Sequence, residues 1–135
     1  MAKTFKVMIL TPSKVVLEEE VEKIFTSTVD GSIEFLPGHA ATILSTVPCI
    51  TRVYDATGNK KELFTSKGII NFSNNSMSFC CDAAEFPEEV DLSRAEAAKE
   101  RAEAKIKDYS KFDVKRAEAA LARANMRIEL KKHSL

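Results

Sequence analysis

VDLSRAEAAKERAEAKIKDYSKFDVKRAEAALARANMR, residues 90–127, is the stretch whose reading decides the fold. Alanine recurs throughout it, and Ala has the highest intrinsic helix propensity of any residue. Asp91 stands where an N-cap accepts from the first free backbone N–H groups of a helix. Asp113 gives a second such signal after Ser110, Lys111 and Phe112. Two helices are therefore predicted, with a short break near residues 109–112. Short connections between helices imply antiparallel neighbours.

The apolar stripe of this hairpin is narrow. In the first helix Leu92, Ala95, Ala102, Ile106 and Tyr109 keep a 3-4 spacing interrupted by Lys99, and in the second Val114, Ala117, Leu121, Ala124 and Ile128 repeat it unbroken. That is the pattern of a coiled-coil seam rather than a broad core face. Small Ala side chains let the two axes approach but bury little area. At roughly 25 cal/mol per Å² of apolar surface, such a seam holds weakly. A hairpin that can be dislodged is the expectation.

Arginines punctuate the hairpin. Arg94 and Arg101 share one face of the first helix, and Arg116, Arg123 and Arg127 share one face of the second. The Arg123/Arg127 pair has i, i+4 spacing, which costs a few tenths of a kcal/mol in an isolated helix. One reading is a solvated charged face, since Glu96, Glu100, Glu103 and Glu118 lie close by. The other is an anion site, because the planar guanidinium donates two parallel hydrogen bonds to phosphate oxygens. Spacing alone leaves both open.

Upstream of Pro87 the texture changes. Phe5, Val7 and Ile9 alternate with Lys6 and Met8, the period of a half-buried strand. Strands are predicted to follow at residues 15–20, 21–29 and 33–36, then 42–45, 50–54, 61–65, 69–72 and 77–82. Between them lie ordinary turn signals: Asp30-Gly31, Thr57-Gly58-Asn59, Lys67-Gly68 and Ser73-Asn74-Asn75-Ser76. Many short strands at close spacing predict a β-sandwich or flattened barrel. The chain thus reads as α+β with two domains, a β domain at residues 1–87 and an antiparallel helix–turn–helix at residues 88–135.

Composition narrows the function. The chain has 135 residues, 44% of them hydrophobic, enough for one modest core and an appendage. Its formal net charge is zero: residues 1–87 hold 8 basic and 10 acidic groups, and residues 88–135 hold 12 and 10. Neither half has the positive excess of a nucleic-acid binder. No apolar run approaches the roughly 20 residues of a membrane span. The start, MAKTFKVMILTPSK, lacks a signal-peptide pattern, so the expected location is the compartment of synthesis. Three cysteines, Cys49, Cys80 and Cys81, form no CxxC, and neighbours on a strand point to opposite faces. They read as reduced strand residues, and no metal site is expected.

Catalytic signatures are lacking. The chain contains no GxxxxGK[ST] loop, no GxSxG elbow and no HExxH. His133 is expected in a frayed tail and His39 in a turn, where a lone His serves structure or contact. Glu18, Glu19 and Glu20 fit an edge strand whose charges discourage unwanted pairing. No catalytic residue is assigned, and a non-catalytic role is the expectation.

These residues together resemble a known family. The opening FKVMILTPSKVV, the central LPGHA, the KGI strand and the VDLSRAEAAKERAEAK tail are similar, in order and over essentially the whole length, to the epsilon subunit of bacterial and plastid F-type ATP synthases. The resemblance implies a ten-stranded β-sandwich followed by the helical hairpin. It implies a place in the central stalk (the rotor), with the sandwich contacting the gamma subunit and the ring of c subunits, and catalysis on other subunits. Leu36, Pro37, Gly38, His39 and Ala40 then belong to the segment facing the rotor. Ala41 and Thr42 depart from the family's PGHAPLL at the proline and a leucine.

The resemblance also gives the tail a purpose. The family's hairpin lies folded or extends into the alpha/beta catalytic hexamer, where it blocks ATP hydrolysis. In some members the folded form binds ATP through [IL]DxxRA and arginines of the second helix. Residues 90–95, VDLSRA, match with Val90 at the first position. The ATP-binding residues implied are Glu85, Val90, Asp91, Arg94, Ala95, Arg101, Arg123 and Arg127, with ATP regulatory and no tightly bound cofactor. The implied location is peripheral, on the cytoplasmic face of a bacterial membrane or the stromal face of a thylakoid. Two alternatives stand beside it: a structural coupling subunit without nucleotide, and an unrelated β-sandwich interaction module.

Overall fold

Phe5, Val7 and Ile9 are buried and Lys6 is exposed, as the alternation at the start of the chain predicts. A computed structural model describes residues 3–107 and 114–134. Contacts divide the chain into two units, Met1–Glu85 and Phe86–Leu135.

The first unit holds nine strands among the described residues: β1 (Phe5–Leu10), β2 (Val15–Thr28), β3 (Gly31–Phe35), β4 (Thr42–Thr46), β5 (Cys49–Asp55), β6 (Lys60–Thr65), β7 (Gly68–Ser73), β8 (Ser76–Cys81) and β9 (Ala84–Glu85). They follow the order β4-β7-β8-β1-β2-β5-β6-β9, with β3 also on β2. Among the described residues only β1 and β8 pair in parallel. The expected sandwich is present. Nine strands are described where the resemblance implies ten: residues 15–28, read as parts of two strands, form the single β2, and the two-residue β9 is one that the periodicity did not reveal.

That strand explains how two layers share one hydrogen-bonded path. The first half of β2 pairs with β1, and the second half pairs with β3 and β5. A register shift between Val21 and Lys23 marks the crossing. Such an irregularity increases local twist and bends the strand out of its first layer. Glu18, Glu19 and Glu20 fall in the first half, which β1 alone borders among the described residues. Lys6 pairs with Glu18 at 3.2 Å and Lys61 with Glu19 at 2.9 Å, so the open edge carries charge.

Aromatics fill the space between the layers. Phe35 stacks on Phe72 at 5.6 Å, and Phe5 meets Phe72 edge-on at 5.3 Å. Toward one end the interior turns polar. Thr51 Oγ1 lies 3.0 Å from Thr26 Oγ1 and 2.7 Å from Thr65 Oγ1, all buried. Cys49 Sγ sits 3.2 Å from the Thr26 hydroxyl. Burying hydroxyls is tolerable here because each has a partner. Gly68 opens β7 where a Cβ would strike the carbonyl oxygen of Cys80, so the close approach of β7 and β8 needs glycine.

The second unit contains a 3-10 turn (Pro87–Glu89), α1 (Leu92–Lys107) and α2 (Val114–Ser134). Its buried residues include Ala95 and Ala102 on α1, and Ala117, Ala124, Ile128 and Leu130 on α2. Leu92, Ile106, Val114 and Leu121 are half-buried. The seam is therefore largely alanine, as the stripe predicts. His133, expected in a frayed tail, stands instead in the last turn of α2. Lys131, Lys132 and His133 complement the helix dipole there, and the Ser134 hydroxyl donates to the Lys131 carbonyl at 2.7 Å. The predicted break at residues 109–112 and the Asp113 cap lie outside the described residues.

Candidate functional site

Two regions carry the residues singled out in the sequence, one in each unit. The first is the root of the hairpin. Asp91 caps α1, its Oδ1 accepting from the Arg94 backbone N–H at 3.1 Å, while the Ala95 N–H donates to the Asp91 carbonyl at 3.0 Å. Cap and helix thus fix Arg94 and Ala95 on successive positions of the first turn. Arg94 is exposed, and Val90 and Ala95 are buried.

The direction of α2 sets what faces this turn. Lys131 Nζ donates to the Pro87 carbonyl oxygen at 3.0 Å, so the end of α2 returns to the start of α1 and the helices run antiparallel. The buried alanines agree: Ala95 and Ala102 lie two turns apart on α1, as Ala117 and Ala124 do on α2. Arg123 and Arg127 lie between the middle of α2 and the end that returns to the start of α1, and both are half-buried. Arg101 lies two turns along α1 from Arg94 and is exposed. Glu85 ends β9 in the other unit.

The root therefore presents one carboxylate engaged in a cap, the amino-terminal end of a 16-residue helix and the exposed Arg94 in its first turn. Helix N-termini and arginines both favour anions. Among the described residues no cluster of His, Cys, Asp or Glu could hold a metal ion.

The second region is the turn at Leu36, Pro37, Gly38, His39 and Ala40. The His39 N–H donates to the Leu36 carbonyl at 3.1 Å, and Gly38 adopts φ +79°. That left-handed conformation suits glycine. The Gly38 N–H donates to Asn75 Oδ1 at 2.8 Å. His39 points inward rather than out: its ring lies 4.5 Å from Phe35 and 5.4 Å from Phe72, and Nδ1 is 2.8 Å from the Ala40 carbonyl oxygen. Leu36, in contrast, is exposed.

Beside this turn lies a surface that sequence reasoning missed. Cross-strand register aligns Ile43, Asn71, Ser78 and Met8 in one row, and Ser45, Ile69, Cys80 and Leu10 in the next. Neither row carries a charge. Ile43 is 73% exposed and Ile69 56% exposed, although the opposite face of the same strands is the core. The signal was present in Met8-Ile9-Leu10, Ile43-Leu44 and Ile69-Ile70, where apolar residues occupy both parities of a strand.

The chain matches two family models: the ATP synthase delta/epsilon chain β-sandwich domain over residues 4–87, and the delta/epsilon chain long α-helix domain over residues 88–132. It is 45% identical over 130 residues to the ATP synthase epsilon chain of Clostridium novyi, covering 96% of this chain and 99% of that one. It is 44% identical over 132 residues to that of Clostridium botulinum, covering 98% of each. Its fold is similar to a chain in the Euglena gracilis mitochondrial ATP synthase OSCP/F1/c-ring structure. That match has a TM-score of 0.83 at 23% identity and covers 96% of this chain and 81% of that one. No helix among the described residues is long and apolar enough to cross a membrane.

Proposed function

From the premise that this chain belongs to the ATP synthase delta/epsilon family, as an epsilon subunit of an F-type ATP synthase, we propose that it is a regulatory subunit of the central stalk whose hairpin senses ATP. The observations that support the sensing are the Asp91 cap, which fixes Arg94 in the first turn of α1, and the Lys131–Pro87 contact, which returns the end of α2 beyond Arg123 and Arg127 toward that turn. The seam beneath these arginines is mostly alanine and holds weakly. A triphosphate bound among them adds charge-assisted hydrogen bonds that favour the folded hairpin.

A ligand that binds only the folded hairpin shifts the equilibrium by its differential affinity, about 2.7 kcal/mol at a hundredfold excess over Kd. Plentiful ATP keeps the hairpin folded. Scarce ATP releases it to extend into the alpha/beta hexamer and block hydrolysis. The subunit itself performs no chemistry in this reading; Val90, Asp91, Ala95 and Arg101 complete the ligand's surroundings within the hairpin unit.

The outer rows around Ile43 and Ile69, continuous with the Leu36–Ala40 turn, form the proposed surface for the gamma subunit and the c ring. Through them the subunit couples proton translocation to ATP synthesis as a peripheral component on the cytoplasmic face of the membrane. The test is isothermal titration of ATP into the isolated chain. One-to-one binding is expected, weakened about tenfold or more in Arg94→Ala and Arg123→Ala, and less in Arg101→Ala, which lies two turns away. No binding at millimolar ATP leaves a structural coupling subunit whose arginines serve protein contacts.

A further inference from the structure

The hairpin's free end is held by a contact that the ATP reading does not use. Lys131 Nζ donates to the Pro87 carbonyl oxygen at 3.0 Å, joining residues 44 apart in the chain. That oxygen also accepts the Val90 N–H at 3.2 Å, so both of its lone pairs are engaged. The acceptor is well fixed. The Glu89 N–H donates to the Phe86 carbonyl at 2.9 Å, and Glu89 Oε1 accepts the Phe86 N–H at 3.1 Å. Asp91 then caps α1 directly after this turn.

The donor is fixed as well. Leu130, immediately before it, is 1% exposed, the most buried side chain of α2. Lys131 itself is half-buried, and its own carbonyl is capped by Ser134. Position along the helix adds leverage. Lys131 lies about 26 Å along the axis from Val114, at 1.5 Å per residue. When α2 swings away about its connection to α1, this end travels furthest.

We propose that the Lys131–Pro87 hydrogen bond is a latch that sets how readily the hairpin opens. The proposal rests on the reading of the hairpin as the movable part, but it requires no nucleotide. A contact at the far end of α2 must break before the seam unzips from the root. A charged donor meeting a partly buried backbone carbonyl is stronger than an exposed ion pair. The latch and the arginine site also differ in kind: one works in the absence of ligand, the other only with it.

Hydrogen–deuterium exchange on the full chain without nucleotide tests this, using wild type, Lys131→Met and Lys131→Arg. The methionine keeps the aliphatic stem and removes the donor; the arginine keeps a donor. In Lys131→Met, amides of α2 are expected to exchange about five-fold faster while β1, β7 and β8 are unchanged, and Lys131→Arg stays near wild type. Unchanged α2 exchange in Lys131→Met overturns the latch. So does acceleration spread equally over the sandwich strands, or an arginine variant that behaves like the methionine. Adding ATP to the wild type separates the two ideas: no added protection of α2 counts against nucleotide sensing and leaves the latch result standing.

Discussion

Asn75 Oδ1 accepts the Gly38 backbone N–H at 2.8 Å, tying the β7–β8 turn to the Leu36–Ala40 turn, the two partners lying 37 residues apart in the chain. The same side chain donates from Nδ2 to the Thr4 carbonyl at 2.8 Å. Asn74 and Asn75 have φ +50° and +57°, the positive values of a type I′ hairpin turn, which Asn tolerates better than most residues. One asparagine therefore makes the turn and fastens two neighbouring segments to it.

Asn75→Gly isolates the side chain, because glycine keeps the backbone conformation without strain. Two hydrogen bonds are lost, and the expected destabilisation is about 1–2 kcal/mol. For a domain of this size that lowers Tm by roughly 4–8 °C per kcal/mol. Thermal denaturation gives the stability, and exchange at the Gly38 amide gives the local effect. An unchanged Tm with unchanged Gly38 protection contradicts the assignment.

The polar end of the core makes a contrast testable. Thr46 Oγ1 is buried and has no hydrogen-bond partner among the described residues, whereas Thr51 sits between Thr26 and Thr65. A buried unpaired hydroxyl costs free energy; a paired one does not. Thr46→Val is expected to be neutral or to stabilise by about 1 kcal/mol. Thr51→Val leaves two buried hydroxyls short of a partner and is expected to cost about 1–3 kcal/mol. Denaturant midpoints of the two variants on one axis decide it, and a Thr46→Val loss equal to that of Thr51→Val refutes the contrast.

Much of this architecture was legible from residue pattern alone. Alternation at Phe5, Val7 and Ile9 identified an inward face, and Asp91 marked the start of α1 to the residue, because capping is a local interaction. What periodicity could not reveal was continuity. Residues 15–28 became one strand crossing between layers, since the shift at Val21/Lys23 depends on partners β1 and β5 from opposite directions in the sequence. The parallel β1–β8 pairing and the two-residue β9 are likewise set by long-range partners. His39 read as a contact residue because it stands in a turn. Its ring faces Phe35 and Phe72, which only the folded sheet brings beside it. Lys131 carries no signal in the sequence, because its partner is a backbone carbonyl that no side-chain pattern announces.

Cysteine chemistry follows from which face each thiol occupies. Cys80 is exposed, while Cys49 and Cys81 are buried. Burial, and then the neighbouring Cys80, Asp82 and Cys49, push the Cys81 thiol up to about 12. Its folded value lies above the unfolded value of about 8.5. The stabilising effect is therefore complete below pH of about 8.5 and is lost as pH rises toward 12, because only the unfolded chain releases the proton in that window. Wild type is expected to lose stability across that range more steeply than Cys81→Ala, with the difference flat below it. Parallel pH profiles of the two chains contradict the shift. Alkylation at neutral pH should label Cys80 first and reach Cys81 only on unfolding.

The uncharged rows on β4, β7, β8 and β1 bear directly on assembly. Ile43 and Ile69 sit on opposite corners of a small sheet area, Ile43 facing Asn71 and Ile69 facing Ser45. Both side chains stand mostly in solvent, so replacing them with charge changes little inside the folded chain. Ile43→Asp with Ile69→Asp is expected to leave Tm within the shift of about 0.5 kcal/mol typical of surface changes. Docking is a different matter. Two carboxylates desolvated within an apolar contact cost several kcal/mol each, which exceeds what a single interface of ordinary size can absorb. Co-purification of the double variant with the gamma subunit is expected to fail while circular dichroism remains native. A similar surface change away from these rows, Lys67→Glu beside the exposed pair with Asp82 at 3.9 Å, is expected to leave co-purification intact. Retention of gamma by the Ile43/Ile69 variant, with its fold preserved, removes this face from the interface.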